Sequence, residues 1–324
     1  MEDPSQKKGD IPVINEPEKD SFTLYKKDPR KLPHSKKVKT TNSPSPMLKK
    51  LNAHISSCKE EEDFYDQLRY FKKNELLSIE KLESSPLINR QKIVNSLSAV
   101  ATAIVKVGHE YMSKAMTSQY GLPSYLNSFK QTESAELAIV GMGKIGAHEI
   151  NYYSDLDVIF IYSHIGETLG NVSITNNEYY GKLAQKIINI LAITTRAGIC
   201  YDIDTELRPS GNTGTLVSSY DHFIDHQMNR AQNWDRQALI RAQCISAEEG
   251  FASLLNNQLN KLAYERPLAK DFRQNMHQIR QQVIRERAKT GEGIFDIKLG
   301  KGALMDIEFT LHLIQLENSH LFND

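Results

Sequence analysis

Apolar positions recur with helical spacing early in the patterned part of the chain. Ile93, Val94, Leu97, Val100, Ala101, Ile104 and Val105 fall at i, i+1, i+4, i+7, i+8, i+11 and i+12, the single stripe of a helix packed on a core. An earlier stripe runs through Phe64, Leu68 and Phe71. This helical block is expected to end near Tyr120-Gly121-Leu122-Pro123, where glycine and proline both disfavour continuation. The period then changes. Leu137 to Val140 and Leu156 to Tyr162 read as short buried strands, and Ile199 to Leu207 as an alternating one. Between the last two, Tyr179, Tyr180, Leu183, Ala184, Ile187, Ile190 and Leu191 share one helical stripe. Beyond about Ser246 the pattern is helical again, through Arg273–Arg285 and Leu304–Leu316, and no internal repeat is evident.

Composition adds the ends of the chain. Seven of the eleven prolines fall within residues 1–46, among KKDPRK, HSKKVK and TTNSPSP, and apolar residues there are too scattered to offset the entropy of ordering. We therefore expect a disordered, basic, Pro-rich tail over 1–46, a helical lead-in over 47–130, a mixed domain over 131–248 and a helical domain over 249–324. The chain stops at LENSHLFND just as an amphipathic helix finishes, so the last domain is expected to be incomplete.

Forty Lys+Arg balance forty Asp+Glu over 324 residues, which argues against the strong basic field of a dedicated nucleic-acid binder. The balance is uneven: residues 1–50 carry 12 basic against 7 acidic side chains, and the remainder 28 against 33. No apolar run approaches the ~20 residues of a helix that crosses a bilayer, so neither a membrane nor a nucleic acid is an expected partner. The N-terminus lacks the apolar region of a secretory signal, and Cys58, Cys200 and Cys244 are too dispersed for a disulfide framework or a zinc cluster. A reducing cytoplasm is the expected compartment.

The chemistry concentrates in LAIVGMGKIGAHEINYYSDLDVIFIYS, residues 137–163. Gly141, Gly143 and Gly146 match G-x-G-x-x-G after a strand, the dinucleotide-binding fingerprint. That reading fails on spacing. Only about ten residues separate Gly146 from the next strand, too few for the required helix, and the acids stand at the start of that strand rather than its far end. The alternative takes Asp155 and Asp157 as residues i and i+2 of a strand, projecting to one face. Two carboxylates so placed repel unless a cation lies between them, and magnesium is the hard, oxygen-seeking ion commonly shared between carboxylates and phosphates. A glycine turn on the same edge lets backbone N–H groups approach phosphates, with Lys144 as a further positive charge. The bland alternative is a solvated loop. A two-metal site wants a third carboxylate; Asp202, Asp204 and Glu206 share a face of the alternating strand, and period alone does not choose among them. Arg208 and Ser210 follow, and a guanidinium and a hydroxyl in a glycine turn suit a triphosphate; the weaker alternative for Arg208 is a pairing with a local acid.

GMGKIGAHEINYYSDLDVIFIY, GICYDIDTELRPSGNTGTLVSS, WDRQALIRAQ and FDIKLGKGALMDIEF resemble, in order and spacing, the successive motifs of the glutamine synthetase (glutamate-ammonia ligase) adenylyltransferase family. LRYFKKNELLSIE and YGLP are similar to its lead-in helices, so the resemblance spans roughly residues 62–316. It implies an α+β fold: a DNA polymerase beta-like nucleotidyltransferase domain with a small mixed sheet, flanked by N- and C-terminal helical regions. It implies that Asp155, Asp157 and Asp204 are the catalytic metal ligands, holding two Mg2+ ions. Nucleotide contacts are implied for Gly143, Lys144, Ser154, Arg208 and Ser210, with Lys298 near the phosphates of ATP. For Asp306 and Glu308, charges favoured at a helix start are as reasonable as a site role.

The activity implied is transfer of AMP from ATP to a tyrosine of glutamine synthetase, or its removal by phosphorolysis. Full-length members carry two catalytic halves, and this chain has one. The wording LRPSG and LVSS resembles the attaching half, and DIKLG the removing half. A PII-type nitrogen-signalling protein is a further implied partner. Two departures stand out: Glu206 replaces a usual arginine, reversing a charge beside the metals, and Ala303 replaces the second glycine of GxGG. They motivate the rival expectations of a catalytically impaired binding module and of a nucleotidyltransferase with a different acceptor.

Overall fold

The computed structural model describes residues 45–58, 60–84, 89–289, 291 and 293–322. The tail expected over 1–46 lies outside them except for Ser45 and Pro46. Three helices lead: α1 (Pro46–Ile55), α2 (Glu61–Glu83) and α3 (Arg90–Tyr120). Local signals set their starts. The Ser45 hydroxyl accepts from the Leu48 amide with Pro46 in the first turn, and the Asn89 side-chain oxygen accepts from the Gln91 amide, each satisfying an otherwise orphaned donor. α3 stops where the sequence says it should. Gly121 takes φ +81°, and a Cβ there would lie 2.2 Å from the Gly170 nitrogen.

The chain then forms β1 (Pro123–Leu126), β2 (Thr132–Ser134), β3 (Leu137–Gly141), the single turn α4 (Gly143–Gly146), β4 (Leu156–Tyr162), β5 (Glu167–Thr168) and α5 (Asn176–Ala192). Next come β6 (Ile203–Asp204), β7 (Val217–Ser219), α6 (Tyr220–Asn229), α7 (Asn233–Leu239) and β8 (Gln243–Ser246). The last helices are α8 (Glu249–Tyr264), α9 (Phe272–Arg287) and α10 (Leu304–Glu317). β2, β1 and β5 make a small antiparallel sheet; the larger, mixed sheet runs β6-β4-β3-β8, with β7 also paired to β4. The expected α+β class, a small mixed sheet flanked by helices, is the one the chain adopts.

Alternation along the buried strands divides the core. Leu137, Ile139, Leu156, Val158 and Phe160 face α2, α3 and α5, whereas Ala138, Val140, Ile159 and Ile161 face Phe223, Leu239 and the apolar side of α8. The sheet is thus covered on both faces, which is why β3 and β4 read as continuous apolar runs. Buried Arg69 joins α2 to the end of α5, donating to the carbonyls of Tyr65, Ile190, Ile193 and Gly198. A guanidinium so deep is tolerated because those carbonyls occupy its donors.

One expectation needs correction. The alternating strand over 199–207 shrinks to Ile203–Asp204. The amides of Cys200 and Tyr201 both turn to the Leu191 carbonyl at the end of α5. Past Asp204 the Glu206 amide folds back onto the Asp204 carboxylate at 2.7 Å. Tyr201 is buried as alternation predicts, but Ile199 on the same face is exposed and Cys200 on the opposite face is fully buried, because these backbone groups are paired off the ladder.

Candidate active site

The glycine turn joins β3 to α4. Gly143 takes φ +50°, and a Cβ on it would lie 2.6 Å from Asp157 Oδ2. A side chain is therefore excluded twice, by backbone conformation and by the carboxylate. The loop from α4 to β4 is closed by Asn151, whose side-chain oxygen accepts from the Ser154 hydroxyl and the Tyr153 amide, while its own amide donates back to Ser154 Oγ. The buried Ser154 hydroxyl is thus engaged in shaping the turn that delivers Asp155 and Asp157 to the head of β4.

Asp204 reaches the same place by register. β6 lies parallel to β4 with Leu156 opposite Ile203 and Asp157 opposite Asp204, and the Leu156 amide donates to the Asp202 carbonyl at 2.9 Å. Ile203 packs into the α3/α5 side of the core, which turns Asp204 to the other face with Asp157. One oxygen from each of Asp155, Asp157 and Asp204 lies within 4.8 Å of the other two. Asp202 and Glu206, which strand period left as alternatives, are not in this group; Glu206 instead accepts from Asn212 Nδ2 at 2.9 Å.

The electrostatics match the crowding. Burial, then the charges of Asp155 and Asp204, push the Asp157 carboxyl up to about 6, with Lys144 and Arg241 pulling the other way. A triad of hard oxygen donors under mutual repulsion has the chemistry of a magnesium site, so the residues present fit that ion.

Arg208 Nη1 donates to the Thr205 carbonyl, to Thr205 Oγ1 and to Asn212 Oδ1, so a hydroxyl, a carbonyl and an amide hold the guanidinium. Ser210 is exposed at φ +62° in the same loop. Lys298 lies on the exposed turn before α10, its amide on Asp296 Oδ1. Asp306 pairs with Arg280 at 2.6 Å, and Glu308 with Arg241 at 3.2 Å. Arg241, given no role by the sequence reading, bears on the site; it sits within the motif WDRQALIRAQ, but its two acidic partners are 92 and 67 residues away. The departure at Ala303 is conformationally neutral: its φ is −85°, while Gly302 takes the left-handed value of +78°.

Residues 23–258 match the family model for glutamate-ammonia ligase adenylyltransferase. The bifunctional glutamine synthetase adenylyltransferase/adenylyl-removing enzyme of Haemophilus ducreyi is 34% identical over 269 residues, 81% of this chain and 27% of that protein. Its counterpart in Pasteurella multocida is 34% identical over 264 residues, covering 80% and 26%, and that of Mannheimia haemolytica 31% over 264, covering 81% and 27%. The chain spans about a quarter of the length of these relatives. With a family model matched over most of its length, the chain belongs to the glutamate-ammonia ligase adenylyltransferase family.

Proposed function

We propose that this chain is a magnesium-dependent nucleotidyltransferase that moves AMP from ATP to a tyrosine of glutamine synthetase, or removes it by phosphorolysis. The reading is supported above all by the three carboxylates of Asp155, Asp157 and Asp204, gathered by strand register beside a glycine turn. In this reading residues 131–248 are the catalytic domain, 47–130 its helical lead-in and 249–324 a C-terminal helical domain. The work is cytoplasmic and serves nitrogen assimilation, with a PII-type signalling protein as a further partner.

Asp155, Asp157 and Asp204 would hold two Mg2+ ions. Magnesium there supplies charge neutralisation at the phosphates and a lowered pKa for the acceptor phenol, ordinarily about 10. The phenolic oxygen attacks the α-phosphorus, the bond to the β-phosphate oxygen breaks, pyrophosphate leaves and the phenolic proton passes to solvent. Gly143 leaves room for phosphate beside Asp157, Lys144 adds positive charge, and Arg208 is held by Thr205 and Asn212 to meet the triphosphate. Ser154 acts by fixing the loop, with Ser210 and Lys298 at the nucleotide's periphery.

Incubation of the chain with glutamine synthetase, ATP and Mg2+ should add one AMP mass per modified subunit, on a tyrosine. With adenylylated substrate and phosphate, the same mass should be lost. Absence of both changes would overturn the reading. Glu206, an acid at the rim of the carboxylates, favours as second reading a binding module without catalysis. Titration calorimetry separates the two, because the module would bind glutamine synthetase or the signalling protein and not Mg-ATP.

A further inference from the structure

Arg241 lies between α7 and β8, and both its backbone and its side chain bear on the glycine turn. A Cβ on Gly146 would come 2.0 Å from the Arg241 carbonyl oxygen, so the end of α4 packs against the Arg241 backbone with room for a hydrogen only. The side chain, 17% exposed, pairs through Nη2 with Glu149, just beyond α4, and through Nη1 with Glu308 of α10 at 3.2 Å. Nearby residues repeat the pattern. His148 Nε2 donates to Gln243 Oε1 at 3.0 Å, and Gln237 Nε2 donates to His312 Nδ1 of α10, also at 3.0 Å. Segment 237–243 thus holds the turn on one side and α10 on the other, with Arg241 spanning both.

α9 and α10 share a small core of Phe272, Met276, Leu313 and Leu316, against which Ile240 and Tyr264 also pack, and Arg280–Asp306 and Arg273–Glu317 reinforce it. Ile240 ties that core to the segment that carries Arg241, so a displacement of α10 would reach Arg241 both through this packing and through Glu308. An arginine side chain only 17% exposed has less water at hand to replace a lost partner than a free surface one. If α10 withdraws Glu308, Arg241 must reorganise around Glu149, and Glu149 is anchored in the turn by its amide on the Lys144 carbonyl at 2.7 Å.

We propose that Arg241 is a positioning residue that couples the glycine turn to α10, so that the seating of the C-terminal helices sets how firmly the turn beside the carboxylates is held. The proposal rests on the adenylyl-transfer reading only for its consequence, the grip on the nucleotide; the coupling is a property of the chain alone.

Hydrogen exchange read by mass spectrometry on the nucleotide-free chain tests it. The amides of Gly146, Ala147, His148 and Glu149 are hydrogen-bonded within the turn and report its opening. Glu308→Gln should speed their exchange roughly threefold to tenfold, Arg241→Gln at least as much, and the double variant no more than Arg241→Gln. Glu317→Gln, which removes an α10 charge that pairs with Arg273 instead, should leave them unchanged, and the α3 amides serve as the folding control. Unchanged exchange in Glu308→Gln, or effects that add in the double variant, would overturn the coupling. Should Arg241→Gln not fold, Arg241→Lys replaces it, and Glu308→Gln alone still decides. In activity assays Glu308→Gln should raise the KM for ATP with kcat held. A wild-type chain that transfers no AMP would sink the functional reading while leaving the exchange result to stand on its own.

Discussion

Asp204 stands abreast of Asp157, the two being paired residues in the parallel register of β6 on β4. A shift of one residue in that register would turn Asp204 toward the Ile203 side of the core and leave Asp155 and Asp157 without their third carboxylate. The site depends on two residues of pairing at the open end of β4, and the neighbouring folds at Leu191 and Glu206 hold that short pairing in place.

Removing one charge from the triad should affect activity and stability in opposite directions. Asp155→Asn is expected to abolish AMP transfer. The raised Asp157 carboxyl, about 6 against an ordinary value near 4, means that the folded chain binds this proton more tightly than the unfolded one. Its contribution is full below the ordinary value and is lost as pH rises through about 6. Metal-free Asp155→Asn should therefore melt at a higher temperature than wild type at about pH 7.5, with the advantage fading below about pH 5. Mg2+ should raise the wild-type Tm at the higher pH and do less as protons compete. Thermal melts across pH, with and without the ion, check all three.

Gly143→Ala places a methyl against Asp157 Oδ2 and keeps a left-handed φ. A stability loss of about 1–3 kcal/mol is expected from the strained backbone, together with at least a tenfold loss of Mg-ATP affinity as the carboxylate is displaced. Chemical denaturation and calorimetry measure the two separately. Intact nucleotide affinity would mean that the turn does not face the phosphates.

Arg69→Met should remove roughly 3 kcal/mol or more, because four carbonyls from α2, α5 and the turn after α5 lose a shared charged donor. Urea titration reads this directly. The variant should also weaken metal binding, since the Leu191 carbonyl that receives the Cys200 and Tyr201 amides belongs to the same helix end.

Ala303→Gly restores the residue usual in the family at a backbone of φ −85° that does not call for glycine. A loss of about 0.5–1 kcal/mol is expected from the added freedom of the unfolded chain, with no gain in transfer rate. A clear rate increase would show that Ala303 matters to the reaction.

Burial pattern and motif chemistry were legible in the sequence where neighbours along the chain set them. The stripe through Ile93 and Val105 is the buried side of α3, the run from Leu156 to Tyr162 is β4, and the shared face of Asp155 and Asp157 follows from period two. What escaped depends on distant partners. Gln243–Ser246 has no strong strand signal and becomes β8 by pairing with β3. The small sheet adds β5 to the local β1–β2 hairpin by pairing across 40 or so residues. The choice of Asp204 over Asp202 and Glu206 came from family resemblance; geometrically it needs the Leu191 contact, which alternation does not encode. Arg241 looked like one cation among many because Glu149 and Glu308 are remote in sequence.

β6 and β7 both run alongside β4 on the edge away from β3, the first at its carboxylate end and the second opposite Phe160 to Tyr162. The segment from 205 to 216, which carries Arg208 and Ser210, is therefore a detour that leaves one strand line and rejoins it. Past Glu206, whose amide braces β6, residues can be added to such a detour, deleted from it or exchanged within it without shifting either flanking register. Evolution is free to retune what this rim offers, while Asp155, Asp157 and Asp204 stay where the sheet puts them.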